Sequence, residues 1–293
     1  MSDELPINRD LTVVIPAYKA EKTIARAVSS AFAAGAATVI VVDDGSDDAT
    51  ATVAESAGAT CLRQENAGAA AARSNGAAHV TTPYLVFLDS DDELVPAGVK
   101  NSVEILTTNT DLAVSAGTVI GIADGGVERP FPVRYTPVTT ESLIKNGFGP
   151  WPPCAAVVRT SSYRDTKTLD VPALSPRFAE DYELLIRLSL VGGIDVRPEP
   201  TCRYSLAGGK SVNSATRAIE SKEAIRAHYS EYLHLDIEMM PPRHIQMAAR
   251  IRQARAEWAS GNYLSTARHL SAWIAGDPSY AAKKLLTKPW KRN

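Results

Sequence analysis

Hydrophobic and polar positions in the first part of the chain alternate between two periods. "LTVVIPA" (11–17) is an unbroken, largely β-branched run, the pattern of a strand buried on both faces. Beyond it Ile24, Val28, Ala31 and Phe32 recur at helical spacing, and Gly35 supplies a stop. "TVIVVDD" (38–44) predicts a second strand, and "DDATATVAESAG" a helix opened by Ser46 or Asp47 as its cap. "ATCLRQ" reads as a short third strand, "AGAAAARSNGAAHV" as a helix, and "YLVFLD" as a fourth strand. Strand and helix alternating at this spacing predict parallel βαβ units: an α/β, mostly parallel doubly wound sheet with helices on both faces.

The order loosens past Pro96. "VKNSVEILTTN" predicts a helix and "DLAVSAGTVIGI" a strand, followed by a Gly/Pro-rich excursion, "ADGGVERPFPVRYTPVTT". "GPWPPCAAVVR" reads as a rigid turn feeding a strand. "AEDYELLIRLSLVGG" reads as a helix with Leu184, Leu185, Leu188 and Val191 on its buried side. From about residue 215 only helical periodicity remains, including an antiparallel pair broken at Gly261-Asn262. The division this implies is residues 1–210 as the α/β domain and 211–293 as a helical extension.

Composition is that of an ordinary globular protein, and no apolar run approaches membrane-spanning length. The acidic, polar start "MSDELPINRD" reads as no secretory signal. Cys61, Cys154 and Cys202 lie too far apart for a zinc or disulfide framework and read as the reduced thiols of a cytoplasmic protein. The net charge of −2 conceals a split: from Arg243 onward 10 Lys+Arg face 2 Asp+Glu, leaving 21 against 31 before it.

The candidate chemistry sits at the strand ends, where open parallel sheets bind ligands. The four ends carry "PAYKAE", "DDGSDD", "QENAG" and "DSDD", all polar or acidic and all at one edge. Such clustered carboxylates repel one another and are costly to desolvate. A divalent cation, Mn²⁺ or Mg²⁺, bound by oxygen ligands and completed by the phosphates of a nucleoside diphosphate, would resolve the repulsion. The plainer alternative is that Asp91, Asp92 and Glu93 cap the helix starting at Pro96.

"VVIPAYKAEKTIARAVSSAF", "VIVVDDGSDDAT", "QENAGAAAARSNGAA", "YLVFLDSDDEL" and "FAEDYELLIRLSLVGG", in this order and spacing, resemble the GT-A inverting glycosyltransferases of family 2, of the type that builds bacterial polysaccharides. The likeness covers roughly residues 11–205. It implies a nucleotide-sugar donor, UDP-linked by family habit, and a glycan or lipid-linked acceptor. Pro16, Ala17, Tyr18 and Glu21 would hold the nucleoside, and Asp44 the pyrimidine base, a carboxylate being able to accept the imide N–H. The alternative for Asp43 and Asp44 is a turn before a helix. Arg73 would reach the base or the pyrophosphate, Asp89 the ribose or a metal-bound water, and Asp91 the metal. The resemblance makes Asp181 the base that deprotonates the acceptor hydroxyl, with Glu180 on the acceptor side; Trp151 in the preceding turn is a candidate for stacking on a sugar there, or equally a core residue. The plain alternative is that Glu180 and Asp181 only cap their helix. The chain departs from the family at Lys19, where many members have Asn, and in "ARSNG" where many follow ARN. No histidine follows the last strand, and Lys210 is a candidate for the diphosphate.

Two rival readings share the fold. A nucleotidyltransferase would want a Gly-rich basic loop after the first strand, which "PAYKAEKT" lacks; a non-catalytic sugar-nucleotide scaffold would not need both Asp91 and Asp181. A dehydrogenase is excluded because no GxGxxG follows a strand. The tail "AAKKLLTKPWKRN" combines Lys283, Lys284, Lys288, Lys291 and Arg292 with Leu285, Leu286 and Trp290, suiting an anionic inner-membrane surface. A solvated basic end is the alternative. The catalytic part shows no aromatic-rich basic groove for nucleic acid. The extension is also a candidate homodimer surface.

Overall fold

The computed structural model describes residues 8–206, 215–259 and 261–287. Two compact units divide the chain at Ala207/Gly208.

In the first unit β1 (Asn8–Ala17), α1 (Ile24–Ala33), β2 (Ala36–Asp43), α2 (Thr50–Ser56), β3 (Thr60–Arg63), α3 (Ala69–Ala78) and β4 (Tyr84–Phe87) follow one another. These four strands lie in the order β3-β2-β1-β4, parallel throughout. Leu11, Val13, Val14 and Ile15 are fully buried, as a strand covered on both faces requires. Beyond them the chain adds β5 (Glu93–Leu94), α4 (Pro96–Thr108), β6 (Leu112–Ile122), β7 (Glu128–Phe131), α5 (Thr140–Asn146), β8 (Ala156–Arg159), α6 (Thr160–Asp165), α7 (Glu180–Val191) and β9 (Gly193–Ser205). The described residues thus form one nine-stranded sheet, continuing from β4 as β8-β6-β9-β5, with β7 paired to β6. Here the sheet is mixed: β8 is antiparallel to β4 and β6, whereas β6 and β9 run parallel. The α/β sheet read from the sequence is present, regular where βαβ units repeat and mixed where the pattern loosened.

Packing explains several local choices. Gly76 lets α3 settle onto the sheet, since a Cβ there would lie 2.5 Å from Val14 Cγ1. Two expectations need correction. Neither Ser46 nor Asp47 opens the second helix: α2 begins at Thr50, whose N–H donates to Asp48 Oδ1 (3.0 Å), because Ser46 Oγ is taken by Lys19 N–H (2.9 Å) and Asp47 by Lys19 Nζ (2.9 Å). On α7 the buried side is Tyr182, Leu185, Ile186 and Leu188, leaving Leu184 and Val191 half-buried. Loop 166–175 packs against this helix and shifts the covered stripe, Arg187 donating to the carbonyls of Thr166 and Val171.

The second unit is helical among its described residues: α8 (Ala215–Tyr232), α9 (Pro242–Ala259), α10 (Tyr263–Gly276) and α11 (Pro278–Thr287). Asn262 caps α10 by accepting from Ser265 N–H, at the break the sequence marks. No helix of the described residues is long and apolar enough to cross a membrane. Lys210 and the tail from Lys288, including Trp290, Lys291 and Arg292, fall outside the described residues.

Candidate active site

Strand order reverses at β1, which has β2 on one side and β4 on the other, so the crevice beyond the carboxyl ends of β1 and β4 is the switch point of the sheet. Pro16 and Ala17 end β1 buried, while Tyr18 is exposed at its tip. The loops after β1 and β2 are laced together. Lys19 Nζ pairs with Asp47 (2.9 Å), Ala20 N–H donates to Thr50 Oγ1 (2.8 Å), and Glu21 accepts from Ala49 N–H (3.2 Å). Glu21 thus braces the loop that carries Tyr18.

Asp43 and Asp44 are both buried. Asp43 holds Arg63 (3.2 Å) and closes the turn at Ser46. Asp44 Oδ1 accepts from Gln64 Nε2 (2.8 Å) and Ala67 N–H (2.9 Å), and Oδ2 from Gly68 N–H (2.8 Å). Those amides open α3, so the carboxylate sits at a helix N-terminus whose dipole favours it. Gly68 adopts φ 91°, a conformation that glycine reaches without steric cost. In sequence "QENAG" is only a polar strand end; in the structure its Gln64 holds the Asp44 carboxylate and its Asn66 donates to the Asp44 carbonyl (3.0 Å).

The turn after β4 brings the remaining acids together. Arg73, mostly buried on α3, donates from Nη2 to Asp89 Oδ1 (2.6 Å) and from Nη1 to Glu180 Oε1 (2.8 Å). One guanidinium therefore ties the "DSDD" loop to the first residue of α7. Burial alone would lower its pKa, but Asp89 and Glu180 outweigh that and raise it, keeping the group charged. Glu180 is shifted upward by burial and by Asp181, with Arg73 partly offsetting both. Asp181 is exposed and makes no ion pair among the described residues. Ala179, just ahead of the pair, adopts a left-handed φ of 63°.

Asp91 is exposed at the tip of the same loop. Its carbonyl accepts from Arg26 Nη2 (3.2 Å), and the guanidinium also pairs with Glu93 (2.9 Å), so α1 grips the loop from outside. Asp92 is buried: Oδ1 accepts from Ser205 N–H (2.8 Å), while Oδ2 is buried with no hydrogen-bond partner among the described residues. Its pKa is pushed up to about 7 by burial first, then by Asp89 and Asp91. Its oxygen and the thiols of Cys154 and Cys202 lie within 4.8 Å of one another. Burial also raises the Tyr204 phenol, with Asp92 and Asp89 adding to the shift. An exposed carboxylate beside partly exposed Asp89 is a hard-oxygen donor set, the chemistry Mn²⁺ or Mg²⁺ takes.

Arg73, Glu180 and Asp181 line a cavity of about 990 Å³. Trp151 is buried in its wall, and the loop 166–177 forms the far side. Glu183 anchors that loop, accepting from Leu174 N–H (2.7 Å) and Ser175 N–H (3.0 Å).

A switch-point crevice, an acidic loop after β4 and a carboxylate-lined cavity belong to an α/β fold of the GT-A kind. Residues 12–164 match the model of Glycosyl transferase family 2, and the chain belongs to that family and is a glycosyltransferase. It is 30% identical over 240 residues to the succinoglycan biosynthesis protein ExoU of Rhizobium meliloti, covering 74% of this chain and 68% of that protein. A pre-mycofactocin glycosyltransferase of Mycobacterium tuberculosis is 33% identical over 218 residues, 67% of this chain but 42% of that protein. Among solved structures, S. aureus TarS with UDP-GlcNAc aligns with a TM-score of 0.60 at 18% identity, covering 94% of this chain and 83% of that one. The mannosyltransferase PcManGT of Pyrobaculum calidifontis, with GDP-Man and Mn²⁺, gives 0.56 at 16%, covering 96% and 81%.

Proposed function

We propose that this chain transfers a sugar, with inversion, from a nucleoside diphosphate, UDP in the first instance, to a hydroxyl of a glycan or lipid-linked acceptor. The observation that carries the reading is the Arg73 bridge, which joins the loop of Asp89 and Asp91 to the end of α7 bearing Asp181. Donor and acceptor chemistry thereby share one crevice. The complexes of TarS with UDP-GlcNAc and of PcManGT with GDP-Man and Mn²⁺ support a nucleotide-sugar donor and a divalent ion.

In this reading the nucleoside lies against Pro16, Ala17 and Tyr18, with the base over the loop that Asp44 organises. Asp91, with Asp89, would hold the divalent ion, which would supply positive charge against the diphosphate. Asp181 accepts the proton of the acceptor hydroxyl as its oxygen bonds to the anomeric carbon; the bond to the diphosphate oxygen breaks on the opposite face. Arg73 engages Glu180, so Asp181 is the acid of the pair without an ion pair among the described residues. Glu180 and Trp151 form the acceptor side.

The test measures donor binding by calorimetry with Mn²⁺, and transfer by the anomeric configuration of the product. Asp181→Asn should keep donor affinity and lose about a thousand-fold or more in transfer, whereas Asp91→Ala should lose the metal-dependent part of donor binding. Retained transfer in Asp181→Asn removes it as base, and a retained anomeric configuration removes inversion.

A further inference from the structure

Among the described residues of the helical unit, α10 has one covered side and one exposed side. Met247, Trp273 and Ala281 form a buried cluster, with Ile251, Leu270 and Tyr280 packed around it. Arg250 locks α9 to α10 by donating to the Ala272 carbonyl (2.7 Å). The opposite face of α10 carries Leu264, Ala267, Ser271, Ile274 and Ala275 at helical spacing, with Leu264 84% and Ile274 48% exposed. At its N-terminal end Trp258 and Tyr263 meet edge-on, ring centroids 5.0 Å apart, both exposed. A hydrophobic strip headed by a Trp-Tyr pair is costly to leave in water and matches the amphipathic boundary of a bilayer.

Charge selects among occupants. Residues from Arg243 onward hold 10 Lys+Arg against 2 Asp+Glu, and Arg268 stands on the strip itself. A second copy seated on this face would set Arg268 against its own copy within two units of like net charge, an unfavourable pairing; anionic lipid headgroups would neutralise that charge. We propose that the helical unit rests on an anionic lipid bilayer, the bare face of α10 entering the headgroup–acyl boundary with Arg268 beside lipid phosphate. The inference depends on neither the donor nor Asp181.

The test is flotation of the full-length protein with vesicles of phosphatidylcholine alone, or with about one-third phosphatidylglycerol, at low salt and at about 0.5 M salt. Binding should require phosphatidylglycerol and weaken at high salt. L264D/I274D should lower partitioning about ten-fold or more, and K283E/K284E should lower it on anionic vesicles. Circular dichroism checks the fold of each variant; if either unfolds, the dependence of the native protein on lipid charge decides. Absence of flotation on anionic vesicles overturns the proposal, as does flotation indifferent to L264D/I274D. So does light scattering that shows a dimer converted to monomer by L264D/I274D, which would assign the face to a second copy.

Discussion

Arg73 joins two parts of the site, because its two terminal nitrogens hold one acid from the loop after β4 and one from the first turn of α7. Removing it leaves Asp89 and Glu180 facing each other without a counter-charge. Arg73→Ala should destabilise by about 2–3 kcal/mol in urea denaturation, at the low end for a buried pair because Asp89 is partly exposed. Arg73→Lys keeps the charge but not the fork, and should fall between. Asp92 behaves oppositely, since its folded pKa of about 7 lies above the ordinary carboxylate value. Its proton is retained in the folded state and lost in the unfolded one between those pKa values. The stability it lends is therefore full below about pH 4 and lost as pH rises through about 7. Asp92→Asn keeps the acceptor for Ser205 N–H and cannot ionise. Its thermal midpoint in chelator should gain on the parent protein from acid to pH 8; a constant gap would refute the shift.

At the scale of elements, α7 is launched from a strained residue. Ala179 occupies the left-handed region, which costs an L-residue roughly 1–2 kcal/mol, immediately before Glu180 and Asp181. Ala179→Gly should raise stability by roughly 0.5 kcal/mol once the greater freedom of unfolded glycine is subtracted. The urea midpoint measures it, and a fall would show that the methyl group has a packing role. Gly76 on α3 is the reverse case. Gly76→Ala would press on Val14 and Val42 and should cost about 2 kcal/mol by the same assay. It should also weaken donor binding by tilting Arg73, which lies one turn earlier on that helix.

For the whole molecule, all three cysteines have thiols whose pKa is raised first by burial, and Cys154 and Cys202 are buried outright. A thiol reagent at neutral pH should therefore titrate no more than Cys61 in the native protein and all three on unfolding. Fast reaction of Cys154 or Cys202 would mean that the sheet opens beneath Asp92. Much of this architecture was legible in advance: apolar runs of strand length, helical stripes between them and polar residues at each strand end mark the βαβ half and its working edge. The start of α2 and the buried stripe of α7 lie elsewhere than local pattern places them, because each depends on a distant partner: Lys19 taking the side chains of Ser46 and Asp47, and loop 166–175 packing on α7. The burial of Asp92 was equally illegible, since β9 covers it through Ser205, far along the chain.

Local pattern alone determined which segments become strands and helices, and that four acidic or polar tips share one edge, because side-chain period and chain direction are properties of neighbours in sequence. Only the tertiary structure decided which tips touch. It gave Arg73 to Asp89 and Glu180 together, put Asp44 under the opening of α3, and left one face of α10 bare. Such pairings follow from strand order and packing, which bring together residues that no local period relates.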